Sequence, residues 1–427
     1  MERRNFLKMT AGAGALSLSS ACSSPTDASN AAASKASAAA AGPTAEELDQ
    51  AAARPVLKVE GMTSPVIIDS IRLLRKDRDY FIHVRSKDGA EGISLDNGRA
   101  EDFHPILNQS IIPFFIGKDA RDLETHLWEL YRYQSNYKLQ GLAFWSAHAW
   151  VEFAILDMLG RIAKKSMGQL FGDIVRQEVP FYVASGRRDT TPPEEIEYLQ
   201  SLIEETGAKA IKFRLGGRMS RNADALPGRT TTLVPLTRKT FGDAIALHGD
   251  ANSSYDPEHG IEIGRLLEEN KFLHYEEPCP FDDLEATKKV TDALTIHVAG
   301  GEQEFSQNRF RWMIQNRGVD IVQPDLHYYG GMIRSIRVAN MAALAKMPTT
   351  VHLSGGFSFV YTLHFAACVP DVGPYQEYKQ GVKRYGDWFD PHLEIKDGAL
   401  IIPRGPGVGI KDIQSVIKGA TEPFQVT

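Results

Sequence analysis

The chain has 427 residues, of which 43% are hydrophobic and 24% are charged, and its formal net charge is −6. This length is too great for one small core and fits a barrel with a second domain, and the composition is ordinary for a soluble globular protein. The acidic balance, without a basic cluster interleaved with aromatic residues, argues against nucleic acid as a partner.

The first 22 residues predict an export signal. Residues 3–8 read RRNFLK and resemble the twin-arginine motif, and the apolar segment 9–18 is too short to span a bilayer. Export by this route predicts a periplasmic protein. Residues 19–22 partly resemble a lipoprotein cleavage site, but Leu18 lies four residues before Cys22 instead of the usual three. A lipid anchor at Cys22, and with it a membrane-anchored lipoprotein, therefore stays open as an alternative.

The next two segments differ in composition. Residues 23–55 are rich in Ala and Ser and cannot bury enough apolar surface to fold alone, which predicts a linker. From residue 66, apolar runs separated by charged turns predict strands. From about residue 119 to 170, apolar residues recur at three- and four-residue steps, as they do in helices. Strands followed by helices predict an α+β domain over residues 56–175.

From residue 179, predicted strands and helices alternate, which indicates a parallel sheet with crossover helices. The first two strands are PFYVAS, from Pro180, and AIKFRLG, from Ala210. Six further apolar runs, 23 to 27 residues apart, each end in a titratable residue: Asp250, Glu276, Glu302, Asp325, His352 and Glu377. Because that spacing suits one strand plus one helix, residues 176–400 are predicted to form a barrel with these residues at its C-terminal mouth. Residues 401–427 are predicted to pack on the α+β domain.

Three carboxylates at consecutive strand ends predict a metal site. Asp250, Glu276 and Glu302 would repel one another in one pocket unless a cation neutralised them, and oxygen-only ligands suit Mg²⁺ better than zinc. The alternative is that each carboxylate pairs with a nearby Arg or Lys. That alternative is less expected for three acids that converge at matching positions.

The remaining strand ends predict proton transfer. Asp325 beside His352 would fix the tautomer of the imidazole and raise its basicity, which suits a general base or acid. Lys212 and Arg214 are two residues apart on one strand, so both point the same way, and we expect that way to be into the barrel. Glu377 has two open roles, as a protonated hydrogen-bond donor to an enolic intermediate or as a partner of Lys212 or Arg214.

Together these residues resemble the enolase superfamily, and within it the mandelate racemase and muconate lactonizing enzyme group. The resemblance extends from about residue 66 to the C-terminus and rests on an ordered set of segments: 250–252 (DAN), 276–278 (EEP), 301–302 (GE), 324–325 (PD) with 330–331 (GG), His352 and Glu377. It implies an α/β fold, a modified TIM barrel of the (β/α)7β type with an N-terminal α+β capping domain. It also implies bound Mg²⁺, a homo-oligomer, and abstraction of the proton next to a carboxylate to give a metal-stabilised enediolate.

One position departs from this pattern. The racemase group commonly carries Lys-x-Lys on the second strand, with the second lysine as a base, and here that position is Arg214. Arginine is a poor proton acceptor near neutral pH, so His352 would be the one certain acid/base group. Elimination of water needs no second base, which favours a sugar-acid dehydratase, a hydro-lyase. A racemase or epimerase, with Lys212 as base after Arg214 lowers its pKa, is the alternative, and an exported carboxylate-binding protein without catalysis is a third.

Overall fold

The computed structural model describes residues 42–424. The predicted export signal, residues 1–22 with Cys22, lies outside them, as does most of the predicted linker. Before the barrel, the described elements are α1 (Ala45–Ala53), β1 (Ile68–Lys76), β2 (Asp79–Ser86), β3 (Glu91–Leu95), α2 (Ala100–Ile106), α3 (Ile112–Phe115), α4 (Leu123–Arg132) and α5 (Leu142–Ala163).

The three strands form an antiparallel sheet in the order β1-β2-β3. The register between β1 and β2 shifts between Ile68 and Ser70. The sheet lies against α5, and Gly92 on β3 marks the closest approach. A Cβ atom at Gly92 would lie 2.1 Å from the Ala154 carbonyl oxygen of that helix, so no larger residue fits without moving the backbone.

The second part of the chain alternates strand and helix, as predicted. Its elements are β4 (Glu178–Ala184), α6 (Pro192–Thr206), β5 (Ala210–Arg214), α7 (Arg229–Phe241), β6 (Ala246–Asp250), α8 (Pro257–Glu269), β7 (His274–Glu276), α9 (Leu284–Ala293), β8 (His297–Gly300), α10 (Gln307–Gln315), β9 (Ile321–Val322), α11 (Met332–Leu344), α12 (Ser358–Cys368) and β10 (Gln376–Tyr378). Strands β4 to β9 pair in parallel and in sequence order, and β10 pairs with β4 to close the ring.

The seventh position of the ring is the least regular. Residues 349–352 make only isolated parallel bridges, from Thr349 to Val322 and to Val372 and from His352 to Asp325. With this segment counted as a strand, seven strand–helix units and a final strand make the (β/α)7β barrel that the sequence predicts. The fold prediction, a modified TIM barrel with an α+β capping domain, is confirmed.

The C-terminal segment contacts the antiparallel sheet. It contains β11 (Ile395–Lys396), β12 (Ala399–Ile401) and α13 (Ile413–Ile417). The backbones of Arg75 and Thr421 exchange two hydrogen bonds of 2.7 and 2.9 Å, and Phe424 stacks on His104 with ring centroids 3.8 Å apart. These contacts place the end of the chain beside β1 and α2.

Helix α1 (Ala45–Ala53) lies within the segment that the sequence predicts to be a linker. Thr44 and Glu47 form a capping box, in which each side chain accepts a hydrogen bond from the backbone N–H of the other. Leu48, Ala51 and Ala52 are buried, and the helix packs on α10 and α11. An alanine-rich composition suggested disorder, but one apolar stripe at helical spacing is enough once a neighbouring surface buries it.

Helix α5 joins the capping domain to the barrel. Residues 144–160 are buried without interruption, and two of them are acids. Asp157 accepts hydrogen bonds from the backbone N–H groups of Ile93 on β3 (2.9 Å) and Val408 in the C-terminal segment (2.7 Å). Glu152 accepts one from Ile333 at the start of α11 (3.0 Å). Since an isolated buried carboxylate is costly, these bonds fix where the helix sits.

Glu152 predicts how stability depends on pH. Burial raises the pKa of this carboxyl from 4.5 to about 8, so the folded protein holds a proton that the unfolded chain releases. The free energy of unfolding should therefore fall as the pH rises from ~4.5 to about 8. Glu152→Gln keeps the acceptor for Ile333 but cannot ionise, and we expect it to be more stable than the parent near pH 8.5, by roughly 1–3 kcal/mol.

Urea unfolding of both proteins at about pH 5 and pH 8.5 measures this difference, with the exposed Glu258→Gln as a control for loss of one negative charge. If Glu152→Gln and Glu258→Gln showed the same pH dependence as the parent, Glu152 would not be the group responsible.

Candidate active site at the barrel mouth

Three acids from neighbouring strands meet at the C-terminal end of the barrel. Asp250 ends β6, Glu276 ends β7, and Glu302 follows β8, and Asp250 and Glu276 are paired in register. One carboxylate oxygen of each lies within 4.8 Å of the others, and all three side chains are buried. The alternation of inward and outward positions along parallel strands aims these side chains into the barrel.

The two cations predicted on β5 do point inward, towards these acids. Lys212 Nζ lies 2.9 Å from both carboxylate oxygens of Glu276 and 3.6 Å from Asp250 Oδ2. Arg214 Nη1 contacts Asp250 Oδ2. Pairing with a cation, the alternative considered from the sequence, therefore applies to Asp250 and Glu276.

Glu302 is different. Its Oε2 atom is buried and has no hydrogen-bond donor within the described part of the chain, and the nearest charged partner is His352 Nε2 at 3.4 Å. Burial, together with the charge of Glu276, raises the pKa of Glu302. Glu277 is a further buried carboxyl at this site. Burial and the charges of Glu302 and Glu276 raise its pKa as well.

This donor set fits a divalent cation. Three carboxylates supply hard oxygen ligands from three strands, and the orphaned Glu302 Oε2 is a buried acceptor that a cation would satisfy. Lys212 and Arg214 by themselves leave this acceptor unsatisfied.

The electrostatics of Lys212 correct one expectation. Burial acts to lower its pKa, but the Glu276 and Glu377 carboxylates outweigh burial and raise it above the usual range. Arg214 does act to lower the pKa of Lys212, as the sequence suggests, but the opposing effect of the two carboxylates is larger. This arrangement therefore favours the protonated form of Lys212.

The dyad of Asp325 and His352 is assembled as the spacing predicts. His352 Nδ1 and Asp325 Oδ2 are 2.7 Å apart, and Ser354 Oγ donates to the same oxygen at 2.6 Å. The other oxygen of Asp325 accepts the backbone N–H groups of His327 and Tyr328, both at 2.7 Å. Asp325 is thus held on both sides and fixes which nitrogen of His352 faces the site.

His352 Nε2 is the nitrogen turned towards the other acids. It lies 3.4 Å from Glu302 and 3.6 Å from Glu377. Burial would lower the pKa of His352, but Glu302, Glu377 and Asp325 raise it to about 9, and a cation bound at Glu302 would oppose that increase. Its side chain keeps 12% exposure while the surrounding carboxylates have 7% or less, so it is within reach of a ligand.

Glu377 takes the second of its two predicted roles. Its Oε1 atom accepts from Lys379 Nζ at 3.0 Å and lies 3.6 Å from Lys212 Nζ. Burial would raise its pKa, but Lys212, Lys379 and His352 lower it below the usual range. The lysines beside Glu377 therefore favour its ionised form in this arrangement, and its role towards an enolic intermediate stays a prediction.

Several site residues were missed from the sequence. Gln323 donates to Glu276 Oε2 at 3.1 Å, and its position two residues before Asp325 could have suggested it, since both lie on one face of the strand. Glu277 directly follows a predicted ligand. Asn252 donates a hydrogen bond to Glu277 at 3.5 Å and accepts one from Arg188. Arg188 lies in the loop after β4, where the sequence has no periodic pattern that would indicate it.

The fold and this site define a member of the enolase superfamily. Family models agree: the N-terminal domain of the mandelate racemase / muconate lactonizing enzyme family matches residues 56–172, and the enolase C-terminal domain-like family matches residues 194–412. The chain belongs to the mandelate racemase / muconate lactonizing enzyme family.

Proteins of similar sequence include enzymes that are named as dehydratases of sugar acids. Arabinonate dehydratase of Saccharolobus solfataricus is 26% identical over 331 residues, which are 76% of this chain and 86% of the relative. L-talarate/galactarate dehydratase of Salmonella typhimurium is 26% identical over 76% of this chain and 78% of its own length.

Solved structures share the fold. The crystal structure of a candidate racemase from Roseobacter denitrificans has a TM-score of 0.77 and 34% identity, and the match covers 83% of this chain and 98% of that one. A mandelate racemase/muconate lactonizing protein from Paracoccus denitrificans, complexed with magnesium, has a TM-score of 0.72 at 22% identity, over 84% of this chain and 99% of that one.

Proposed function

We propose that this chain is a Mg²⁺-dependent hydro-lyase that dehydrates a sugar acid. The observation that carries the proposal is the one-sided placement of the proton-transfer group. His352 is oriented by Asp325 and has one accessible nitrogen, whereas Lys212 is bound to Glu276 and Arg214 contacts Asp250. The names of the sugar-acid dehydratases among the relatives support the same reaction and substrate class.

We propose Asp250, Glu276 and Glu302 as the Mg²⁺ ligands. When bound, Mg²⁺ would act as a Lewis acid that polarises the substrate carboxylate and lowers the pKa of the neighbouring C–H group. Lys212 and Arg214 add positive charge on the β5 side, where they orient two of the three ligands and can face an anionic substrate.

His352 would perform both proton transfers. Its Nε2 takes the proton from the carbon next to the carboxylate, while Asp325 stabilises the resulting imidazolium through Nδ1. The same nitrogen then gives this proton to the hydroxyl group that leaves from the next carbon. One C–H and one C–O bond break, water departs, and the enol tautomerises to a 2-keto-3-deoxy acid.

Epimerisation is the second candidate, and the 34% identity to a candidate racemase favours it. It needs a second acid/base group on the opposite face of the substrate. Lys212 is the group that the sequence offers for this role, and it would have to leave Glu276 and lose a proton that its surroundings stabilise.

The ligand set predicts a change in metal affinity. Glu302→Gln should weaken Mg²⁺ binding at least about tenfold, because it removes one of three anionic oxygen ligands. Isothermal titration calorimetry with MgCl₂ measures this. Glu277→Gln is the matched control, because it removes a neighbouring buried carboxylate that is not one of the three proposed ligands, and the amide is its isostere. Equal weakening by both variants would contradict the assignment.

The proposed reaction predicts two signals from one assay. Incubation of a sugar-acid library with the enzyme and Mg²⁺ in deuterated water should yield 2-keto-3-deoxy products, and His352→Asn should abolish them with a loss of at least about 10³-fold. The control is His259→Asn, on the partly exposed start of α8. Deuterium incorporation that gives an epimer and no keto acid would replace the dehydratase by the epimerase. No exchange with any acid, together with retained binding, would favour a binding protein.

We further propose that the protein acts outside the cytoplasm, on the support of residues 3–8. Replacing Arg3 and Arg4 together by Lys should retain the chain in the cytoplasm, as cell fractionation would show. Cys22→Ala separates the two anchoring alternatives: a lipoprotein would move from the membrane to the soluble periplasmic fraction. Unchanged export of the double lysine variant would refute the signal assignment.

A further inference from the structure

Three arginines lie side by side at one edge of the barrel mouth. Arg188 follows β4, Arg214 ends β5, and Arg218 opens the long loop after β5. Arg188 Nη2 and Arg218 Nη2 donate to the same atom, Asn252 Oδ1. Burial, followed by the charges of Arg214 and Arg218, lowers the pKa of Arg188 to about 9. Like charges gathered in this way cost free energy unless an anion joins them.

Only one of the three has an acidic partner. Arg214 contacts Asp250, whereas in residues 42–424 neither Arg188 nor Arg218 has a carboxylate within 4.0 Å. Arg188 Nη1 donates to the backbone oxygens of Leu215 (2.7 Å) and Gly216 (3.1 Å), and Nη2 to Asn252 Oδ1. Neutral acceptors thus orient this guanidinium without cancelling its charge.

Asn252 connects this cluster to the metal ligands. Its backbone N–H donates to Asp250 Oδ1 at 2.9 Å, and its amide oxygen accepts from both Arg188 and Arg218, the latter at 3.4 Å. The arginines are thus linked through one residue to the proposed ligand Asp250, and they lie near the ends of β4 and β5, whereas His352 lies between β9 and β10 in the chain. In strand order, β6, β7 and β8, which end at or just before the proposed metal ligands, come between these two positions.

We propose that Arg188 and Arg218 bind a second anionic group at the far end of the substrate, so that the preferred substrate is a sugar diacid with a carboxylate at each end. The inference rests on the proposed function, because one carboxylate must lie at the metal for the other to lie at the arginines. A planar carboxylate accepts parallel N–H bonds from a guanidinium, which suits a cluster built from arginines.

A phosphate at the far end is the less suitable occupant. Phosphate sites in barrels usually add backbone N–H groups at a helix N-terminus. At the start of α7, the N–H of Thr230 is already bound to Asp224 Oδ2 at 2.9 Å, and at α6 the cap residue Thr191 is bound to Glu194. Both nearby helix ends are thus satisfied by the chain's own carboxylates.

The test compares a hexaric acid with the hexonic acid of the same configuration, with Mg²⁺ present. The hexarate should be dehydrated with a kcat/KM at least about tenfold higher, since a charge-assisted hydrogen-bonded contact is worth about 1.5–3 kcal/mol. Arg188→Gln and Arg218→Gln should each lower the ratio of kcat/KM for the hexarate to kcat/KM for the hexonate towards one, mainly by raising KM for the hexarate. Arg188→Lys should restore part of this ratio.

Arg187→Gln is the matched control, because this exposed neighbour stacks on Tyr198 at 3.5 Å and carries the same charge. Arg218 is itself exposed, so its variant keeps the test valid if Arg188→Gln does not fold. Isothermal titration calorimetry of the His352→Asn protein with each acid, in the presence of Mg²⁺, measures the two Kd values. It therefore measures the preference without turnover.

The outcomes separate the two proposals. Tighter binding of the hexarate that both glutamine variants abolish supports the inference, whether or not dehydration occurs. Dehydration of hexonates without a diacid preference would overturn the inference and leave the proposed function intact. Preference for a 6-phosphohexonate over the hexarate would overturn the proposal of a diacid substrate. It would show that the arginines bind a phosphate group instead.

Discussion

The balance of charge at the barrel mouth is the constraint on which the rest of the site depends. Asp250, Glu276, Glu302 and Glu377 are buried together, and bulk water is not there to screen them. Lys212 touches three of the four and Arg214 contacts one, which still leaves a buried oxygen of Glu302 without a donor. A divalent cation would complete this set by supplying a positive charge next to that oxygen.

A second constraint positions the site within the fold. Helix α5 is apolar enough and long enough to cross a membrane, yet it lies inside the protein and belongs to the core. Its two buried acids bind backbone N–H groups of the capping sheet, the C-terminal segment and α11. Because Asp325 lies between β9 and α11, the helix that supports the cap also contacts the end of the segment that holds Asp325.

Much of the architecture could be predicted from the sequence, because the strand ends of a parallel barrel recur at the length of one strand plus one helix, here 23 to 27 residues. The same regularity places Asp250, Glu276 and Glu302 on one face before any coordinates exist. The prediction was weaker where contacts across the fold decide the outcome. Helix α1 forms because a distant surface buries Leu48, and the pKa of Lys212 depends on two carboxylates from other strands. Arg188 lies in an aperiodic loop, so no spacing rule points to it.

The single accessible nitrogen of His352 has a stereochemical consequence. If one imidazole both removes the proton and protonates the departing hydroxyl, the hydrogen and the hydroxyl must leave from the same face of the substrate. The elimination is then syn. In an acid with the opposite relative configuration at its second and third carbons, the hydroxyl group would point away from His352 Nε2 when the proton points towards it. Selectivity among sugar acids would in that case be set partly by the direction in which one ring nitrogen points.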